Sequence, residues 1–408
     1  MIIEQRILDF EKLGFGMFVH FGAYSNLGKG EWAKFSLDIP WEEYDKAIAA
    51  FCPKEGWAEE LVLTAKDTGC KYITLTTRHH DGFSLYDTCG LNDYDTVHTC
   101  GRDLVREFVD ACNKHGIIPF FYHTLLDWRE DSYQNDFKAY LVYLRKSVQI
   151  LCENYGKIGG LWFDGMWNKP EEDWEEDALY ATIRAYQPDA MIINNTGLHH
   201  RGEAGHIELD SVTFERGRPE PINMEGAPKY LASEMCETLA SHWGYATNDF
   251  NFKSMVNIIN SFASCRRYHS NLLLNVGPKG DGTLRTIDKG MLELLGQWTA
   301  LNDEALHTPA PTGIDIQDKP YNFLLKDGKN YYLFLADLSV KGSADVTINK
   351  DLNTTNVFPF TEKVKSVVWL DSGEPVDFTQ TEGEVNVQPE PFRYGSDYVI
   401  RIAKITVE

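Results

Sequence analysis

The sequence predicts an α/β protein, an irregular TIM-type (β/α)8 barrel followed by a C-terminal β-sandwich domain. Apolar runs of strand length alternate with helical patterns over the first three quarters of the chain. Short segments of alternating polarity replace both patterns towards the C-terminus. The length of 408 residues suits one barrel-sized domain and a smaller one. We expect the catalytic barrel over residues 1–305 and the sandwich over residues 312–408.

Eight runs are candidates for the barrel strands. Six are clear and lie at 16–21, 71–76, 117–122, 160–164, 190–194 and 271–276, whereas those at 207–213 and 230–235 are weaker. Helical patterns occupy about 55–68, 101–115, 136–155, 174–187, 251–267 and 285–301. No helix is evident between the sixth and seventh strands, which makes the barrel irregular. An open doubly wound sheet is disfavoured because the chain lacks a Gly-rich dinucleotide motif.

The pattern changes near residues 306–311, where Pro309 and Pro311 interrupt the chain. Alternating segments then appear at 331–335, 364–370 and 398–405. Such short strands are typical of a β-sandwich.

The charge balance excludes several classes of partner. Lys and Arg number 39 against 61 Asp and Glu, a formal net charge of -22, so nucleic acid and anionic membrane surfaces would be repelled. The N-terminal residues do not have the pattern of a signal peptide, and no apolar segment has the length of a membrane span, so we expect a cytoplasmic protein, or a secreted one if a leader has been removed. The eight cysteines show no paired close spacing and are expected to be reduced thiols.

The first catalytic candidate is Asp164, which ends the apolar run that starts at Gly160. A carboxylate at the carboxyl end of a buried parallel strand lies at the rim where α/β barrels place their chemistry. Capping of the next helix, or a pair with a buried Arg, is the structural alternative for this side chain.

Polar clusters also follow other predicted strands. They contain His20 with Glu31 and Trp32, His79 with His80, and Glu215 with Glu234 further along. Two carboxylates from different strands, surrounded by histidine and tryptophan, are the groups that glycoside hydrolysis needs. Hydride and phosphoryl transfer are disfavoured because their Gly-rich motifs are missing. A metal-dependent hydrolase that uses His20, His79, His80 and Asp164 as ligands stays an alternative.

Five segments together resemble the signature of the alpha-L-fucosidases of glycoside hydrolase family 29, over roughly residues 8–300. They are Phe15-Gly16-Met17-Phe18-Val19-His20-Phe21-Gly22, Gly30-Glu31-Trp32, Thr77-Arg78-His79-His80-Asp81-Gly82-Phe83, Leu161-Trp162-Phe163-Asp164 and Asn271-Leu272-Leu273-Leu274-Asn275-Val276-Gly277-Pro278. The resemblance implies a retaining, exo-acting enzyme that removes terminal alpha-L-fucose from fucosylated glycans. It also implies that no metal and no organic cofactor takes part. A fucose-binding protein without turnover is a further alternative.

The resemblance assigns roles to individual residues. Asp164 occupies the nucleophile position, Glu215 is the first choice for the acid/base and Glu234 the second. Ser233 stands where the family usually has Trp ahead of the second position. The implied substrate-binding residues are Phe18, His20, Glu31, Trp32, His79, His80 and Trp162. Neither the linkage preference nor the oligomeric state follows from these motifs, and a homo-oligomer is possible.

Overall fold

The computed structural model describes residues 1–336, 338 and 354–408. The chain forms two compact units, one of Met1–Lys253 with Asn271–Glu293 and one of Ser254–Ser270 with Leu294–Glu408. The helices are α1 (Gln5–Glu11), α2 (Tyr24–Leu27), α3 (Ala33–Ser36), α4 (Trp41–Ala49), α5 (Trp57–Thr68), α6 (Thr96–Cys100), α7 (Leu104–His115), α8 (Ser132–Asn135), α9 (Phe137–Asn154), α10 (Glu176–Tyr186), α11 (Met255–Arg267) and α12 (Thr286–Leu306). A short 3-10 helix covers Met166–Asn168.

Eight parallel strands close into a barrel in chain order, which confirms the predicted fold class. They are β1 (Phe15–Val19), β2 (Tyr72–Arg78), β3 (Ile118–Thr124), β4 (Gly160–Asp164), β5 (Met191–Asn194), β6 (Ser211–Glu215), β7 (Ala232–Thr238) and β8 (Ser270–Val276). The barrel closes where β1 pairs with β8, with Phe18 opposite Asn275. Because the strands are parallel, all their carboxyl ends meet at one rim.

The bounds of the two weaker predicted strands differ by a few residues from those of the observed strands. The sixth strand begins at Ser211 rather than at 207, because Ile207 is 56% exposed in a loop. Pairing with the fifth strand starts where the Asp210 N–H bonds the Ile192 carbonyl at 2.8 Å. The seventh strand begins two residues later and ends three residues later than predicted. As predicted, β6 and β7 have no helix between them, and the described chain has none between β5 and β6 either.

Aromatic side chains fill the inside of the barrel. Phe18, Tyr72, Phe120 and Trp162 belong to one buried cluster, together with Phe10 from α1. Phe10 contacts Tyr72 and Phe120 near the start of their strands, with ring centroids 5.6 and 5.8 Å apart, so α1 covers the amino-terminal end of the barrel. The opposite end, at the strands' carboxyl termini, is therefore the open one.

The second unit contains two antiparallel sheets. Their strands are β9 (Ala310–Pro311), β10 (Phe323–Asp327), β11 (Asn330–Leu335), β12 (Asn356–Pro359), β13 (Val364–Trp369), β14 (Asp377–Thr381), β15 (Glu384–Gln388) and β16 (Arg401–Val407). One sheet has the order β13-β16-β11-β10-β9 and the other β12-β15-β14. Leu333 and Ile405 of the first sheet share a buried core with Val385 of the second, so the sheets form the predicted sandwich.

The last strand starts later than the sequence predicted. It begins at Arg401 rather than at 398, because Val399 has a φ of 64° and cannot continue an extended ladder. Among the described residues, no helix combines the length and the apolar composition that a bilayer span requires. All eight cysteines are free thiols.

Candidate active site

The carboxyl ends of the barrel strands surround a cavity of about 780 Å³. Seven of the residues singled out from the sequence line it: Phe18, His20, Trp32, His79, Trp162, Asp164 and Glu215. The other three do not line it. His80 and Glu234 contact the lining residues Asp164 and Trp162, and Glu31 precedes the lining residue Trp32 in the chain. The structure therefore gathers residues from distant parts of the sequence in one concave site, the usual form of a small-molecule site.

Asp164 ends β4 and is held by four side chains at the cavity floor. Its Oδ2 accepts a hydrogen bond from the Tyr122 hydroxyl at 3.1 Å and lies 3.5 Å from Nε2 of His80. Its Oδ1 accepts from Nε1 of Trp167 at 3.0 Å and from Nδ2 of Asn195 at 3.2 Å. The carboxylate thus has a fixed orientation and faces the cavity, as a nucleophile requires.

Glu215 ends β6 and faces Asp164 across one amide group. The Nδ2 atom of Asn195 donates to Oε2 of Glu215 at 2.8 Å and also to Oδ1 of Asp164. Burial, and then the negative charge of Asp164, raises the pKa of Glu215, although the Asn195 hydrogen bond opposes this. A carboxyl group with a raised pKa next to an oriented carboxylate is the acid and base pair that glycoside hydrolysis uses.

Glu234 lies deeper in the barrel than Glu215. The β6–β7 register pairs Glu215 with Cys236 and Thr213 with Glu234, so Glu234 is two residues further from the rim. It accepts hydrogen bonds from the Tyr72 hydroxyl and, at 2.8 Å, from Nε1 of Trp162. Only 1% of its surface is exposed, and burial raises its pKa to about 7. Its contacts support the indole that lines the cavity above it.

Three histidines of the site are neutral at physiological pH. Burial lowers the pKa of His20 to about 3 and that of His80 to about 4, and it lowers the pKa of His79 as well. Nδ1 of His20 lies 2.6 Å from Oδ1 of Asn275, and Nδ1 of His80 lies 2.7 Å from the Thr124 hydroxyl. The rings of His20 and His80 are therefore each oriented through their Nδ1 atom. A neutral imidazole can both donate and accept hydrogen bonds, which suits it to sugar hydroxyls.

Nδ1 of His79 is buried and has no hydrogen-bond partner among the described residues. The His79 ring packs 4.2 Å from the ring of His80 and stacks on Tyr122 at 5.6 Å, so the imidazole cannot turn freely. β2 ends at Arg78, and the two histidines do not continue the alternation of the strand. His79 lines the cavity, and its Nδ1 is a buried polar atom that the protein's own contacts leave unsatisfied.

An aromatic wall adjoins the His20 ring, which lies 4.6 Å from the ring of Phe18. Phe18 makes edge contacts with Trp162 at 5.0 Å and with Trp243 at 5.9 Å between ring centroids. Trp162 stacks on Tyr122 at 5.7 Å. Gly16 allows the inner packing beneath this wall, because an added Cβ would lie 2.4 Å from the Tyr72 ring. The wall is rigid and apolar, and it can pack against the apolar part of a sugar.

Glu31 and Trp32 come from the long loop between β1 and α4. Oε2 of Glu31 accepts a hydrogen bond from the Gly244 N–H at 2.7 Å, and burial raises the Glu31 pKa. Trp32 contacts the His80 ring at 5.2 Å and stacks on Trp167 at 6.0 Å. Trp32 and Trp167 thus cover one side of the cavity mouth next to Asp164.

Sequence reasoning missed several residues of the cavity wall, among them Tyr122, Trp167, Asn195 and Trp243. Two of them carried a usable signal, because Tyr122 lies near the end of β3 and Asn195 directly follows β5. The rule that selected Asp164 applies to both. Trp243 lies in a loop, and its place depends on the hydrogen bond from Nδ2 of Asn275 to its carbonyl at 2.7 Å, which no local pattern reveals.

The described residues contain no group of three or more His, Cys, Asp or Glu side chains arranged to hold a metal ion. The Nδ1 atoms of His20 and His80 are engaged by Asn275 and Thr124 as described.

Comparison with known proteins identifies the family. A sequence model described as Alpha-L-fucosidase matches residues 5–304 of the chain. The chain belongs to the alpha-L-fucosidase family, glycoside hydrolase family 29. The enzyme class predicted from the sequence, a glycoside hydrolase of the alpha-L-fucosidase type, is confirmed.

Relatives in the alpha-L-fucosidase family are distant but extensive. The chain is 27% identical to the tissue alpha-L-fucosidase of Bos taurus over 340 residues, which cover 74% of this chain and 69% of the relative. It is 26% identical to the tissue alpha-L-fucosidase of Homo sapiens over 341 residues, which cover 74% of this chain and 69% of that protein.

Solved structures of alpha-L-fucosidases share the whole architecture. The alpha-L-fucosidase isoenzyme 1 from Paenibacillus thiaminolyticus superimposes with a TM-score of 0.81 at 27% identity, over 99% of each chain. An alpha-L-fucosidase of Bacteroides thetaiotaomicron, trapped as a covalent intermediate with 2-fluoro-fucosyl fluoride, gives a TM-score of 0.82 over 99% of this chain and 96% of its own. The identity to the latter is 22%, so that likeness bears on the fold.

Proposed function

We propose that this chain is a retaining, exo-acting alpha-L-fucosidase that removes terminal alpha-L-fucose from fucosylated oligosaccharides or glycoconjugates. One observation carries the proposal: Asp164 and Glu215 accept hydrogen bonds from the same Asn195 nitrogen, at 3.2 and 2.8 Å. The two bonded oxygens therefore lie within about 6 Å of each other, compared with about 5–5.5 Å between carboxyl groups in retaining and about 6.5–9.5 Å in inverting enzymes.

In the first step, a carboxylate oxygen of Asp164 attacks the anomeric carbon while the bond from that carbon to the glycosidic oxygen breaks. Glu215 donates its proton to the departing oxygen, and a covalent fucosyl-enzyme forms. The raised pKa of Glu215, which results from burial and the Asp164 charge, keeps that proton available. The ionised Asp164 also stabilises the positive charge that develops on the sugar ring.

In the second step, water attacks the anomeric carbon and releases Asp164. Glu215 has lost its proton in the first step, so it now accepts one from the water and returns to its starting state. Two inversions at the same carbon give net retention of configuration. No group other than the two carboxyls changes its charge during the cycle.

The cavity walls fit the two edges of a fucose ring. The methyl group of this sugar needs an apolar surface, which Phe18 supplies. The hydroxyl groups need donors and acceptors, which the neutral rings of His20, next to Phe18, and His79 supply. We assign Trp162 and Trp32 to the remaining ring contacts. Glu31 and His80 act from behind, through Gly244 and Asp164.

The decisive experiment is a trapping reaction with 2-deoxy-2-fluoro-fucosyl fluoride, followed by peptide mapping. The fluorine slows both steps, and the label is expected on the peptide that contains Asp164. Proton NMR of an aryl fucoside reaction should show the alpha anomer of fucose first. A label on another residue, or first release of the beta anomer, contradicts the proposal.

Variants of Asp164 give a second test. Asp164→Asn should lose on the order of 10^4-fold in kcat with the fold intact, as expected for a missing nucleophile. Asp189→Asn is the matched control, because this carboxylate is 76% exposed.

Activity should also survive excess EDTA. A loss of activity that only added metal restores would favour the metal-dependent alternative.

A further inference from the structure

Two arginines flank Glu215 at the edge of the active site. Nε of Arg201 donates to the backbone carbonyl of Glu215 at 2.6 Å. Arg216 follows Glu215 directly, and its guanidinium lies 5.0 Å from the ring centroid of Trp243, while Nη2 donates to the Ser241 carbonyl at 2.5 Å. Both side chains belong to exposed residues. Their contacts leave guanidinium N–H groups directed to solvent on either side of the proton donor.

The backbone places Arg216 in this position at an energetic cost. Its φ is 48°, in the left-handed region that residues with a Cβ rarely adopt. Such conformations concentrate at functional sites, where surrounding contacts hold them. Here the conformation turns the chain sharply after β6 and brings the guanidinium over Trp243, whose ring lines the cavity.

Neither guanidinium is neutralised by a carboxylate. Across residues 1–336, 338 and 354–408, no Asp or Glu side chain lies within ion-pairing distance of Arg201 or Arg216. Arginines without an ion pair are unexpected in a chain with a formal charge of -22. Arg184 on α10, by contrast, pairs with both Glu208 and Asp210. Both positive charges act on Glu215 and oppose the rise of its pKa.

The nearby acids of the cavity are engaged within the protein. Glu203 lies 3.0 Å from Nδ1 of His200, and Glu176 accepts a hydrogen bond from the Tyr180 hydroxyl at 2.9 Å. These acids keep their charge, and Arg201 and Arg216 are the cations that act on Glu215. The proton donor must lie within hydrogen-bond reach of the glycosidic oxygen, so the aglycone leaves on the side of Glu215. The two arginines thus face the part of the substrate beyond the fucose.

We propose that Arg201 and Arg216 form an anion-recognition site for the aglycone, and that the preferred substrates are fucosylated saccharides with a carboxylate or a sulfate ester next to the fucose. This inference rests on the proposed function and on Glu215 as the proton donor. Guanidinium groups bind both anions through paired N–H donors. The acidic protein as a whole repels such substrates, and the local cations offset that repulsion at the site of binding.

The test compares matched aryl fucosides that carry meta-carboxylate, meta-sulfate or neutral meta-carboxamide groups. The quantity of interest is the ratio of kcat/KM for each anionic substrate to that for the neutral one. Comparing this ratio between enzymes cancels the intrinsic reactivity of each leaving group. Arg201→Gln and Arg216→Gln should each lower it about fivefold, the size of an exposed ion pair. Comparison of the two anionic substrates shows whether the enzyme prefers the carboxylate or the sulfate.

Arg106→Gln is the matched control. Arg106 also lacks an ion pair among the described residues, donates to a backbone carbonyl, that of Asn154, and lies 4.6 Å from the ring centroid of Tyr155. Neither Arg106 nor the residues that it contacts line the cavity. The substitution removes the same charge and similar contacts and should leave the ratio unchanged.

Arg216→Lys separates charge from packing and should retain most of the preference for anions. In about 0.5 M salt, where the screening length is roughly 4 Å, the wild-type ratio should fall towards that of the Gln variants. Equal ratios in the wild type and both Gln variants, with good turnover of all substrates, would overturn the inference and leave the proposed function intact. No turnover of any fucoside would overturn the proposed function instead.

Discussion

Asp164 and Glu215 accept hydrogen bonds from one and the same nitrogen, Nδ2 of Asn195. The orientation of this amide is fixed from its other side, because its Oδ1 accepts from the Thr213 hydroxyl at 3.0 Å and from the Gly197 N–H at 3.2 Å. A single amide therefore sets the spacing of the two carboxyl groups and donates a hydrogen bond to each. We regard Asn195 as a positioning residue for the pair.

Asn195→Ala should shift the pH dependence of the reaction. Burial and the Asp164 charge raise the pKa of Glu215, and the Asn195 hydrogen bond opposes them, so its removal should raise this pKa further. The first step needs protonated Glu215. The alkaline limb of the kcat/KM profile should therefore move to higher pH, and the maximum should fall about tenfold, the cost of roughly one lost hydrogen bond to a charged group.

Asn194→Ala is the control for this prediction. Asn194 also lines the cavity, but its Nδ2 contacts the Tyr180 hydroxyl at 3.2 Å and the Met166 sulfur at 3.6 Å rather than a carboxylate of the pair. Its pH profile should keep the wild-type limbs. An unmoved alkaline limb in Asn195→Ala would show that the amide has no influence on the proton donor.

Azide rescue distinguishes Glu215 from Glu234 as the acid/base. With an activated aryl fucoside, Glu215→Ala should be slow at the second step, and azide should restore the rate, because a small anion can replace the water that the missing base activates. The product should be a fucosyl azide. Glu234→Ala should not respond to azide, since Glu234 lies beneath Trp162 and does not line the cavity. Rescue of Glu234→Ala alone would reverse the assignment.

The sequence was sufficient to predict the barrel and the position of Asp164 at its rim. The barrel follows from the burial of apolar runs, and the position of Asp164 follows from the place where one run ends. It left Glu215 and Glu234 unresolved, because both are carboxyl groups in neighbouring strands. Only the pairing of Thr213 with Glu234 shows that one lies two residues deeper than the other. Asn195 could have been found by the rule that found Asp164. The position of Trp243 depends on long-range contacts, so it could not be predicted from the sequence.

Glu234→Gln should remove one pH-dependent component of the stability. Burial raises the Glu234 pKa to about 7 in the folded protein, against about 4.3 when unfolded, so the folded state binds the extra proton between these values. This contribution is fully present below about pH 4 and is lost as the pH rises through about 7. It amounts to about 4 kcal/mol.

Urea unfolding at pH 5 and pH 8 measures this effect. The wild type should lose more unfolding free energy between the two values than Glu234→Gln does, because glutamine keeps the shape but cannot ionise. The hydrogen bond from Trp162 is expected to remain in the variant, since the amide oxygen can accept it. Equal losses in both proteins would mean that Glu234 has an ordinary pKa.

Asp210 lies at the amino-terminal end of the strand that Glu215 ends, and its role is structural. Its side chain is fully buried and pairs with Arg6 at 2.9 Å, Arg184 at 2.8 Å and Lys229 at 2.9 Å. Burial alone would raise its pKa, but the hydrogen bond from Arg6 and the charges of Lys229 and Arg184 outweigh it, so the pKa is lowered. Its stabilising contribution is therefore present above about pH 4 and is lost as the pH falls through the lowered pKa.

Asp210→Asn should lower the free energy of unfolding at pH 7 by about 3–5 kcal/mol, because three cations lose their shared partner. Asp9→Asn, which removes a 60% exposed carboxylate paired with Lys12, should change it by less than about 1 kcal/mol. The kcat of folded Asp210→Asn should stay close to that of the wild type, since Asp164 and Glu215 keep their contacts at the opposite rim. The deficit should shrink towards pH 3, as the wild-type carboxylate becomes protonated. A deficit independent of pH would mean that packing rather than charge holds this end of the barrel.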